Sequence, residues 1–111
     1  MTSRADDAEK VVVVFTTVGS AEEALRIARG LVERRLAACV NVLPKIRSVF
    51  RWEGDVQEED EQLLLTKTTA ARFAAVSDCI RELHSYDVPE IVAVPAVAIE
   101  SAYAAWVRDS L

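Results

Sequence analysis

A chain of 111 residues can bury one core and is too short for two domains. Apolar residues make up 51% of it, which excludes an intrinsically disordered chain. Its formal net charge of −5 argues against nucleic acid as a partner, because an acidic surface repels phosphates.

The first nine residues, MTSRADDAE, carry Asp6, Asp7 and Glu9 where an export signal needs an apolar stretch. They read as a solvated tail ahead of a single domain over 10–111. Without an export signal, Cys39 and Cys79 are expected to be reduced cytoplasmic thiols. The apolar run VVVVF is too short to span a bilayer, so no membrane contact is expected.

KVVVVFTTV, residues 10–18, predicts a strand buried on both faces. Residues 19–37 then predict a helix. Ser20 and Glu23 have capping-box spacing, and Leu25, Ala28, Leu31, Val32 and Leu36 form the expected buried stripe. Arg26, Arg29, Glu33 and Arg34 are assigned to its solvated face. CVNVLPKIRSVFRWEGDV, residues 39–56, is extended; Pro44 marks an edge or bulge, and Gly54 with Asp55 a turn. EGDVQEEDE, residues 53–61, holds six acids in nine residues and reads as a solvated hairpin tip. Residues 58–68 return as a third strand. Residues 69–84 predict a second helix, capped by Thr69 and buried along Phe73, Val76, Ile80 and Leu83. A fourth strand is expected over 88–99. The last eleven residues predict a helix with Tyr103, Trp106 and Val107 on one side.

The order βαββαβ plus a terminal helix places the chain in the α+β class: an antiparallel four-stranded sheet with two helices on one face. Leu63–Leu64–Leu65 and Ile91–Val92–Ala93–Val94 are apolar on both alternations. Helices on one face cannot cover both, so the other face is expected to meet another copy of the chain.

Candidate chemistry is sparse. His84 is the only histidine and lies at a helix C-terminus, where an imidazolium favours the terminal carbonyls. One histidine without CxxC or HxH spacing is not a ligand set, and adjacent His84, Ser85, Tyr86 and Asp87 are not a triad. A His84/Glu90 acid–base pair has no nucleophile beside it. Lys67 shares a sheet face with Leu63 and Leu65, as a snorkelling stem or as a cation facing a carboxylate or anionic ligand. Trp52 and Trp106 read as packing anchors, and Cys39 and Cys79 as small core residues.

Taken in order, RLAACVNVLPKIRSVFRWEGDVQEEDEQLLLTKT, ELHSYDVPEIVAVP and YAAWV resemble the CutA divalent-cation tolerance proteins from about Val11 to the C-terminus. The resemblance implies a ferredoxin-like, PII-like fold, a tight homotrimer, no catalysis, and metal tolerance with copper(II) as ligand. It implies a cleft near the subunit interface lined by His84, Tyr86 and Glu90, with Lys67 and Trp52 nearby. Copper-binding members carry a first-strand cysteine and paired histidines; here those positions hold Phe15 and Leu83, and Ser85 replaces a proline. The metal set that remains is His84, Glu90 and Cys39, which implies weak copper(II) binding. Two other readings are a PII-like sensor binding a small anionic metabolite at Lys67, and an unrecognised enzyme using His84 and Glu90.

Overall fold

The structure is a computed structural model describing residues 7–111. The elements are β1 (Val11–Val18), α1 (Ala21–Glu33), β2 (Cys39–Trp52), β3 (Asp55–Thr69), α2 (Phe73–Leu83), β4 (Val92–Pro95) and α3 (Ser101–Asp109). A 3-10 turn, Ala70–Arg72, leads into α2. Of the tail assigned to 1–9, residues 1–6 lie outside the described residues. The remainder is held: the Lys10 amide donates to the Asp7 carbonyl at 3.2 Å, and Arg108 donates to the Glu9 carbonyl at 2.9 Å.

The sheet order is β2-β3-β1-β4, with every neighbouring pair antiparallel. Alternation sends Val12, Val14 and Val18 of β1 and Leu64 of β3 into one core with Ala24, Ile27 and Leu31 of α1 and Val76, Cys79 and Ile80 of α2. The α1 stripe therefore differs from the expected one. Ala28 and Leu31 are buried as read, but Leu25 and Val32 are exposed, and Ala24 and Ile27 replace them. The helix is apolar on two adjoining sides, and packing against α2 selects between them. Gly30 allows that approach, since a Cβ there would meet Leu83 Cδ1 at 2.9 Å.

Pro44 does mark a bulge. The β2–β3 register shifts between Leu43 and Ile46, and Lys45 takes a φ of 57°. The acidic stretch is the exposed hairpin tip, as read, and the third strand begins three residues earlier than expected, at Asp55 rather than Glu58. The turn is only Glu53 and Gly54, both at positive φ, and β3 begins at Asp55. Arg47 of β2 holds the acids in place, pairing with Glu58 and Asp60 at 3.0 Å each. The resulting arm extends beyond the body. The radius of gyration is 14.8 Å, against about 13 Å for a compact chain of this size.

β4 keeps only four of the twelve residues read as strand. It is an edge strand, and Pro89 and Pro95, which lack amide protons, bracket it. Thr69 precedes the 3-10 turn without a side-chain capping bond. In α3 the buried pair is Ala104 and Val107, packed on Val11. Tyr103 and Trp106 are exposed, with ring centroids 5.6 Å apart. Glu100 caps α3 by accepting from the Ala102 and Tyr103 amides, which holds its carboxyl below the usual range.

Two core hydroxyls, Thr16 Oγ1 and Thr66 Oγ1, are fully buried and have no hydrogen-bond partner among the described residues. Thr66→Val keeps the shape and removes the desolvation cost of the hydroxyl. It should raise stability by about 1 kcal/mol, seen as an upward shift in thermal melting. No shift or a fall would show that the hydroxyl is satisfied.

Candidate functional site

The sheet face opposite α1 and α2 carries Val13 and Phe15 of β1, Leu63 and Leu65 of β3, Leu43 of β2, and Val92 and Val94 of β4. None is fully buried, and α3 covers only the end near Val11 and Ala38. Lys67 stands on this same face, opposite Val13 on one side and Cys39 on the other. It forms no salt bridge among the described residues. Cys39 is half-buried and free, whereas Cys79 is buried and burial pushes its thiol up, as expected of an inert core cysteine. Trp52 lies at the hairpin tip, paired with Asp55, twelve positions along β3 from Lys67. That is about 40 Å at strand rise, so one protomer does not bring Trp52 and Lys67 together.

The segment 84–90 leaves the C-terminus of α2 and passes the end of β1. His84 caps α2, its amide donating to the Ile80 carbonyl at 2.8 Å. Its side chain is 0% exposed. Nε2 lies 2.8 Å from the Thr17 carbonyl oxygen, and Nδ1 accepts the Tyr86 amide at 3.1 Å. A carbonyl can only accept and an amide only donate, so these two partners fix the neutral tautomer with the proton on Nε2.

Glu23 reaches the same segment from α1. The Ser20 hydroxyl accepts from the Glu23 amide at 3.2 Å, which is the first half of a capping box. The second half is absent. The Glu23 carboxylate instead accepts from the Ser85 amide at 2.6 Å and the Ser85 hydroxyl at 3.0 Å. Beyond it, the Tyr86 phenol donates to Glu61 Oε2 at 2.8 Å. Gly19 leaves room for this, since a Cβ there would sit 3.1 Å from the phenol oxygen.

Electrostatics follow from this crowding of carboxylates. Burial, then the Glu61 hydrogen bond and the charges of Glu61, Glu23 and Glu59, push the Tyr86 phenol up to about 12. Burial and then the Glu61 charge raise Glu90 above the usual carboxyl range. Glu61→Gln should lower the Tyr86 titration toward that of free tyrosine. Alkaline difference spectroscopy reads this directly, because the chain has only two tyrosines. A raised phenol makes the folded state hold its proton longer than the unfolded state. The stability linked to it is therefore complete below pH ~10 and is lost as pH rises toward about 12.

The structure thus joins His84, Tyr86 and Glu90 into one region and adds two residues that the sequence reading missed. Glu61 had a signal: its odd position puts a carboxylate on the same β3 face as Leu63 and Leu65. Glu23 had none, because its spacing from Ser20 already had a local explanation. The expected metal set does not assemble. Both His84 ring nitrogens hold backbone groups, and Cys39 sits in the strand row of Val13, four residues along β1 from Thr17, about 13 Å away. Among the described residues no group of three or more His, Cys, Asp and Glu side chains can hold a metal ion. The side chains of one protomer do not fit a copper(II) centre.

Comparison with known proteins supplies the lineage. The family model described as CutA1 divalent ion tolerance protein matches residues 12–110. The divalent-cation tolerance protein CutA of Thermus thermophilus is 48% identical over 98 residues, covering 88% of this chain and 95% of that one. The human protein CutA is 40% identical over 89% of this chain, which spans 55% of its length. The solved Thermus thermophilus structure superposes with a TM-score of 0.88 at 47% identity, over 90% of this chain and 97% of the other. CutA from Xylella fastidiosa gives 0.89 at 36% identity, over 91% and 97%. The chain belongs to the CutA1 divalent-ion tolerance family.

Proposed function

We propose that the chain is a non-catalytic homotrimer serving divalent-cation tolerance in the cytoplasm, with copper(II) binding that is weak. The observation that carries the assembly is the apolar sheet face left open by a helix layer on the other side. The antiparallel order β2-β3-β1-β4 supports a ferredoxin-like, PII-like reading of the fold, in which such a face becomes an intersubunit core. The relatives' names support the metal-tolerance role. Two free thiols fit a reducing compartment, and no helix of the described residues is long and apolar enough to cross a membrane.

Weak metal binding follows from the missing ligand set. Copper(II) stands at the top of the Irving–Williams order but needs converging nitrogen or sulfur donors. Calorimetry should give a Kd of about 1 μM or weaker, roughly 8 kcal/mol or less per site. Zinc should bind more weakly, and calcium and magnesium hardly at all. Nanomolar copper binding would overturn this reading. Lys67 favours a second one: an unpaired ammonium on a face destined for burial needs an anion. A small anionic metabolite in the intersubunit cleft would supply it. A thermal-shift comparison of metals against nucleotides and carboxylates separates the two, since a shift from carboxylates abolished by Lys67→Gln supports only the second.

A further inference from the structure

We infer that His84 is a backbone clamp rather than a metal ligand, and that Glu23 positions it. A metal ligand needs a free nitrogen lone pair. In His84 the Nε2 proton points to the Thr17 carbonyl, and the Nδ1 lone pair takes the Tyr86 amide. Coordination at Nδ1 would strand the Tyr86 amide. Coordination at Nε2 would strand the Thr17 carbonyl and move a proton onto Nδ1, against the Tyr86 amide. The ring is fully buried, so an incoming ion would also have to displace protein to reach it. The imidazole ties the segment after α2 to β1, and it does so through backbone groups alone.

Glu23 closes the clamp from the other side. Its side chain, 11% exposed, takes both donors of Ser85, between His84 and Tyr86. Three elements therefore meet at this segment: β1 through Thr17, α1 through Glu23, and β3 through the Tyr86–Glu61 bond. The consequence is a segment after α2 held in one shape. Any ion that binds this chain does so without the imidazole. The inference does not depend on metal tolerance being the chain's role.

The single histidine makes the test unambiguous. In 15N-labelled wild-type protein, the two-bond proton–nitrogen spectrum of the imidazole should show the Nε2-protonated tautomer. Titration with zinc chloride, a diamagnetic probe, should leave both ring-nitrogen shifts unmoved. A zinc-dependent shift of either nitrogen, or the opposite tautomer, overturns the clamp. Glu23→Ala should speed amide exchange at Ser85 and Tyr86 about tenfold while the sheet amides hold, with Glu23→Gln restoring part of the protection. Unchanged exchange at those two amides would remove Glu23 from the clamp. If Glu23→Ala does not fold, Ser85→Ala, which removes one donor and keeps the amide, should speed Tyr86 exchange, and no change there would also remove Glu23. Copper calorimetry stays a separate result, because a tight site elsewhere would change the functional reading and leave the imidazole spectrum as described.

Discussion

Leu64→Asp should yield no folded protein. Leu64 is 0% exposed and sits at the centre of β3, under α1 and α2, opposite Thr16 on β1 and Val42 on β2. Deleting such a side chain costs ~2–5 kcal/mol, and burying a carboxylate in its place adds several more. A domain of this size holds roughly 5–15 kcal/mol in total. Far-UV circular dichroism of the purified or refolded variant should show loss of the native spectrum. A native spectrum with a small drop in melting temperature would mean that this residue is not in the core.

The neighbouring position should behave differently. Leu65 lies on the other face, with Phe15 opposite it, where the proposed trimer places its contact. Leu65→Asp places a carboxylate in each copy of the contact, where the charge must be desolvated without a cation. Assembly should be lost, by about 3 kcal/mol or more per contact. Leu43→Asp is the gentler version, since Leu43 is 38% exposed in the single chain and its replacement spares the core. Expected for Leu43→Asp is a native circular dichroism spectrum with the mass of one chain. Retention of the wild-type mass in both variants would put the interface elsewhere.

Residues with a single chemical consequence were legible in the sequence. Pro44 cannot donate to a ladder, and a bulge is where the structure puts it. Ser20 caps α1 because the amide that donates to its hydroxyl lies three residues away. The strand order, with one apolar face too many, likewise pointed to a sheet that a single helix layer cannot cover. What stayed hidden depends on partners distant in sequence. Glu23 finds Ser85 across 62 residues, and His84 finds the Thr17 carbonyl across 67. A backbone carbonyl carries no side-chain mark, so the same histidine read equally well as ligand, cap or base. The acidic stretch was legible as an exposed hairpin tip, but the start of its strand was not. Cross-strand Arg47 pairs with Glu58 and Asp60, and β3 begins at Asp55. The α1 stripe was ambiguous because Leu25 and Val32 continue the apolar surface around the helix.

The central claim is that the open sheet face is an intersubunit core. Multi-angle light scattering of the wild-type protein at micromolar concentration measures this directly. The account predicts a mass three times that of the 12.2 kDa chain, unchanged on dilution. A mass of 12.2 kDa would contradict it, because the apolar face carrying Phe15, Leu63 and Leu65 would then be stable in water with nothing upon it.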